Sequence, residues 1–106
     1  MLNFVICDDN LNILDKLEKL LNNIFLKNNY DAQVGLKTDS FDGVLNYMDS
    51  NKVDVLMLDI NLKANQSGLE LAEAVRKKDK DVYLIFTTRH LEYAMVAYKY
   101  KTFDYL

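Results

Sequence analysis

The sequence predicts an α/β fold built on a doubly wound parallel sheet. Three observations lead there. Short, nearly continuous apolar runs recur along the chain, as in strands buried on both faces. Segments with apolar residues at three- and four-residue steps lie between them, as in amphipathic helices. The two kinds alternate, and short right-handed crossovers then bring the strands into one parallel sheet.

The elements follow in order. Phe4-Val5-Ile6-Cys7 is the first strand and stops at Asp8-Asp9. Leu14, Leu17, Leu21 and Ile24 mark one face of the first helix, which Asn10 is placed to cap. Ala32 to Thr38 alternates more weakly and reads as an edge strand, followed by a weaker helix over Ser40 to Met48. Val53 to Leu58 is a buried strand that stops at Asp59. Ser67 and Glu70 have capping-box spacing, with Leu69, Ala72 and Val75 along the helix they open. Val82 to Phe86 is the fourth strand and ends at Thr87-Thr88. Leu91 to Tyr100 reads as a helix, and Phe103 to Leu106 as the start of a fifth strand. No proline, repeat or linker divides the chain, so residues 1–106 form one domain.

Composition narrows the function. Half of the 106 residues are apolar, enough for a core, and the formal charge is -3. That balance gives no basic footprint for nucleic acid, so DNA binding would require a region outside this chain. The apolar runs are too short to span a membrane, and no basic segment of a signal peptide opens the chain. A single cysteine, Cys7, allows no internal disulfide. The expected compartment is the cytoplasm.

Ligands of an open parallel sheet bind beyond the carboxyl ends of its strands. Asp8, Asp9, Asp59 and Thr88 all fall at or just after such ends. Crowded carboxylates repel one another, and a divalent cation relieves the repulsion; oxygen ligands with room for water suit Mg²⁺. An aspartate beside such an ion can act as a nucleophile toward phosphorus. An Asp-Asp pair alone can be a turn before a helix, because carboxylates favour helix N-termini. An aspartate that closes a buried strand, as Asp59 does, has no such reason to be charged.

These residues resemble the receiver domains of two-component response regulators over the whole chain. The matching pieces are Val5-Ile6-Cys7-Asp8-Asp9-Asn10, Leu56-Met57-Leu58-Asp59-Ile60, Ser67 to Ala72, Ile85 to His90, and Phe103-Asp104-Tyr105-Leu106. The resemblance implies a flavodoxin-like sheet with strand order 2-1-3-4-5. It implies Mg²⁺ at Asp8 and Asp9, phosphorylation of Asp59 by a sensor histidine kinase, and a metal ligand from the backbone carbonyl of Asn61. Thr88 would contact the phosphoryl group, and Tyr105 would be the switch aromatic. The neighbouring Thr87 leaves two hydroxyls to choose between. The stretch Thr88-Arg89-His90-Leu91-Glu92-Tyr93-Ala94 is similar to that of the LytTR-type subgroup, which includes the accessory gene regulators, and favours Thr88. The subgroup implies a C-terminal DNA-binding output domain outside this chain.

The family's lysine after the fifth strand would fall two residues past Leu106, and its final helix has no counterpart here. The expectation is therefore a receiver domain cut short at its C-terminus. His90 reads as a loop residue, Arg89 as a partial cover of the site or a solvent-facing residue, and Cys7 as a small packed apolar residue. The segment Tyr93 to Tyr100 is apolar nearly all round, which suits a homodimer contact through the fourth helix and fifth strand.

Three functions compete. The first is a signalling switch that assists its own phosphorylation and dephosphorylation without being an enzyme. The second is a Mg²⁺-dependent phosphatase with an aspartyl-phosphate intermediate, although Asp59-Ile60-Asn61 offers an asparagine where haloacid-dehalogenase-like phosphatases have an acid. The third is a phosphorylation-independent binding module, against which the retained acidic residues argue.

Overall fold

A computed structural model describes residues 1–59 and 68–87 and the backbone of Thr102–Tyr105. The strands are β1 (Leu2–Cys7), β2 (Ala32–Thr38), β3 (Val55–Leu58), β4 (Tyr83–Phe86) and β5 (Thr102–Tyr105). The helices described are α1 (Leu11–Lys27), α2 (Phe41–Ser50) and α3 (Gly68–Lys78). The sheet is parallel throughout, in the order β2-β1-β3-β4-β5. The expected helix over Leu91 to Tyr100, and Ser67 of the capping box, lie outside the described residues.

The strands separate two layers of side chains. On one face Ile6 and Met57 pack with Leu14, Leu21 and Phe25 of α1. On the other, Val5, Cys7, Leu56, Leu58, Leu84 and Phe86 pack with Val44 of α2 and with Leu71, Ala72 and Val75 of α3. Alternation along each strand produces this division, since successive side chains point to opposite faces. Along α1 the inward stripe differs from the sequence expectation at its last turn. Phe25 is buried and Ile24 is 38% exposed. The Phe25 ring meets the Phe4 ring with centroids 4.9 Å apart, and the larger aromatic surface takes the inward place.

Local chemistry sets the ends of the elements. The Asn10 side chain caps α1, and the Ser40 hydroxyl caps α2 by accepting from the Gly43 amide at 2.9 Å. At the other end of α1 the Tyr30 amide donates to the Phe25 carbonyl and the Asn29 amide to the Leu26 carbonyl. Asn29 takes the left-handed conformation this ending needs, with φ 54°, which asparagine tolerates better than most residues. β1 begins at Leu2, two residues before the apolar run, because its polar Asn3 is fully engaged. The Asn3 side-chain amide donates to the Tyr47 hydroxyl and the Lys52 carbonyl, each at 2.9 Å. Its backbone amide donates to Asp54 Oδ2 at 2.8 Å. The β1–β2 register shifts between Phe4 and Val5, leaving Gly35 as the unpaired residue beside this cluster.

Candidate functional site

The register of the sheet brings the strand ends together. Cys7 lies beside Leu58, and Leu58 beside Phe86. The ladder continues one residue further at each end. The Asp8 amide donates to the Thr38 carbonyl at 3.2 Å, the Asp59 amide to the Cys7 carbonyl at 3.1 Å, and the Thr87 amide to the Leu58 carbonyl at 2.9 Å. Asp8 and Asp59, 51 residues apart in sequence, therefore stand side by side. They do so where α1 leaves toward one face of the sheet and α2 and α3 cover the other, the switch point at which such sheets bind ligands.

One carboxylate oxygen from each of Asp8, Asp9 and Asp59 lies within 4.8 Å of the other two. Asp8 is buried, at 3% exposure, whereas Asp9 and Asp59 are partly exposed. Burial raises the Asp8 carboxyl from its ordinary 3.8 to about 6. The Asn10 amide, donating to Asp8 Oδ1 at 2.9 Å, works against that rise, and the charges of Asp59 and Asp9 add to it. Cys7, at the base of the cluster, is 1% exposed. Burial, with the charges of Asp8, Asp39, Asp59 and Asp9, pushes its thiol up to about 12, so it stays a protonated core residue.

The donor set suits a small hard cation. All three side chains offer oxygen, and two of them are open to solvent, which leaves room for water ligands. Oxygens on opposite sides of a Mg²⁺ ion stand about 4.2 Å apart, given bonds of about 2.1 Å. Three oxygens on one ion cannot all be opposite one another, and adjacent ones stand about 3 Å apart, so binding would draw the carboxylates inward from the observed spread. A dication would also relieve the repulsion that, after burial, raises the Asp8 carboxyl.

The other site residues expected from sequence divide differently. Asn61, Thr88, Arg89 and His90 lie outside the described residues, and of Tyr105 only the backbone is described, in register with Phe86. Thr87 is described. Its hydroxyl is buried and has no hydrogen-bond partner among the described residues. Strand alternation puts it on the side of Ile85, toward the α1 layer. Two residues at the site were missed by the sequence reading. Asp39, just after β2, adds its charge to the field on the Cys7 thiol. Asn10 was read only as a helix cap, yet its backbone also holds Asp8.

Residues 4–106 match the response regulator receiver domain family. Among curated proteins the chain is similar to the sensory transduction protein LytR of Staphylococcus saprophyticus, with 31% identity over 96% of this chain and 38% of LytR. It is also similar to accessory gene regulator protein A of Staphylococcus epidermidis, with 26% identity over 91% of this chain and 41% of that protein. The chain thus spans about two fifths of the length of the curated relatives it matches. Among solved structures, the response regulatory domain of mrkE from Klebsiella pneumoniae superposes with a TM-score of 0.83 at 26% identity, covering 99% of this chain and 81% of that one. Response regulator TrrA from Thermotoga maritima, solved in complex with Mg(2+)-BeF, superposes with a TM-score of 0.81 at 25% identity, covering 100% of this chain and 85% of that one. TrrA was also solved in complex with the histidine kinase ThkA. The LytR and accessory-gene-regulator relatives are of the LytTR type that the sequence resembles. Its matched span, its parallel sheet and its full-length structural likenesses together show that this chain belongs to the receiver domain family of two-component response regulators.

Proposed function

We propose that Asp59 accepts a phosphoryl group from a sensor histidine kinase, with Mg²⁺ bound at the site, and that the domain switches a regulatory output. The observation that carries this is the approach of the Asp8, Asp9 and Asp59 carboxylates to within 4.8 Å at the end of two adjacent strands. Asp8, Asp9 and Asp59 would hold the ion, joined by the backbone carbonyl of Asn61. Bound Mg²⁺ supplies charge neutralisation on the phosphoryl oxygens. Asp59 supplies the nucleophile: one carboxylate oxygen bonds to phosphorus while the donor's phosphorus–nitrogen bond breaks, and the imidazole leaves with that electron pair. The structure of TrrA with a histidine kinase supports a partner of this class.

In this reading Thr88 contacts the phosphoryl group and Tyr105 follows it, coupling the site to the fourth helix and fifth strand. Those elements form a homodimer contact, and a C-terminal DNA-binding domain outside residues 1–106 carries a transcriptional output. The LytR and accessory-gene-regulator relatives, of which this chain matches about two fifths, support that division. The domain works in the cytoplasm as a stoichiometric acceptor rather than a turnover enzyme.

Incubation with a small phosphodonor and Mg²⁺ tests the chemistry by intact mass. The expected result is one phosphoryl adduct on the parent chain and none on Asp59→Asn. An adduct that persists on Asp59→Asn would move the nucleophile elsewhere. Sustained turnover of a generic phosphate ester would replace the switch with a phosphatase.

A further inference from the structure

Asn10 joins the first helix to the cation site. Its side-chain oxygen accepts from the amides of Asn12 at 2.9 Å and Ile13 at 3.4 Å, which caps α1. Its backbone carbonyl accepts the first helical bond, from the Leu14 amide at 3.1 Å. Its own amide donates outward to Asp8 Oδ1 at 2.9 Å. The backbone is extended, with φ -103° and ψ 110°, the conformation that lets one residue cap a helix and present its N–H behind it. Asp8 is 3% exposed, so bulk water does little to orient its carboxylate. Leu14, fixed by the same turn, is 2% exposed in the α1 layer, so the junction is anchored from the core side as well. An asparagine also caps without adding a fourth carboxylate beside Asp8, Asp9 and Asp59.

We propose that Asn10 is a positioning residue for the cation site: by capping α1 it fixes the peptide whose N–H orients the Asp8 carboxylate, so helix capping and Mg²⁺ affinity are set together. The inference rests on the metal reading above. Without the cap, the residue-10 peptide samples other orientations, the bond to Asp8 Oδ1 weakens, and the carboxylate must be ordered at the expense of binding.

The test is a calorimetric Mg²⁺ titration of the intact chain and four variants. Asn10→Ala removes the cap. Its Mg²⁺ affinity should fall by roughly fivefold, the factor if a typical cap contribution is felt at the carboxylate. Asn10→Ser restores a capping oxygen and should return affinity to within about twofold of the parent. Asn28→Ala removes the side-chain bond to the Ile24 carbonyl at the far end of α1 and so loosens the same helix away from Asp8; its Mg²⁺ affinity should be unchanged. Unchanged affinity in Asn10→Ala overturns the proposal. So does an Asn10→Ser variant as weak as Asn10→Ala, or an Asn28→Ala variant that loses as much. If Asn10→Ala does not fold, Asn10→Gln, whose amide is one methylene too long for the Asn12 and Ile13 amides, takes its place with the same expected loss. Asp9→Ala separates the two levels: unchanged binding there removes the metal reading itself, whereas a sharp loss there with an unaffected Asn10→Ala removes only the positioning role.

Discussion

Replacing Asp8 with asparagine should stabilise the metal-free domain while destroying its affinity for Mg²⁺. Burial first, and then the charges of Asp59 and Asp9, lifts the Asp8 carboxyl from 3.8 to about 6. A carboxyl raised on folding favours the folded state while it is protonated. Its contribution is complete below 3.8, where both states carry the proton, and is lost as pH rises through about 6. Holding Asp8 ionised above that point costs about 3 kcal/mol, from about 1.4 kcal/mol for each pH unit of difference. Asparagine imitates the protonated carboxyl, and its Oδ1 can still accept from the Asn10 amide. The assay is urea unfolding followed by far-ultraviolet circular dichroism, with chelator, across a pH series. The advantage of Asp8→Asn should be near zero below 3.8 and grow to as much as about 3 kcal/mol above pH 6. At this size each kcal/mol moves the melting temperature by about 4–8 °C. Added Mg²⁺ should raise the stability of the parent and leave the variant unchanged. A difference between the two proteins that does not vary with pH, or a variant less stable at neutral pH, would show that burial of the Asp8 charge does not cost stability.

Thr87→Val removes a buried hydroxyl that has no partner among the described residues, and should gain about 1 kcal/mol in urea unfolding without abolishing the phosphoryl adduct. Thr88→Val should instead slow adduct formation, followed by intact mass over time; the reverse pattern would assign the phosphoryl contact to Thr87. Gly35→Ala would drive a methyl into the Asn3 side chain and the Tyr47 hydroxyl and should cost about 2 kcal/mol or more in the same unfolding assay. Gly43→Ala, whose added methyl would lie 3.1 Å from Ser40 Cβ and Thr38 Oγ1, gains helix propensity within α2 and should change stability by less than about 1 kcal/mol.

The order of residues is enough for the alternation of strand and helix, the parallel sheet and the ends at which chemistry gathers. Those features depend on local periodicity and on charge placed where a buried run stops, as at Asp8, Asp9 and Asp59. The α1 cap was legible for the same reason: Asn10 precedes an apolar period, and capping is decided within a single turn. The assembled fold decides which carboxylate bears the burden. Asp8 and Asp9 are equivalent as letters, yet strand direction sends Asp8 inward to 3% exposure and leaves Asp9 partly exposed. It also decided that Phe25 and not Ile24 faces the sheet, because Phe4 waits on β1 to receive the larger ring. The apolar run begins at Phe4 and leaves Asn3 out; bonds to Tyr47 on α2 and to Lys52 and Asp54 in the loop before β3 make Asn3 part of the strand. The pairing of Asp8 with Asp59 across 51 residues of sequence rests on the register of β1 against β3. Register is fixed by which side chains both layers can bury together, a property of the assembled sheet that no single segment contains.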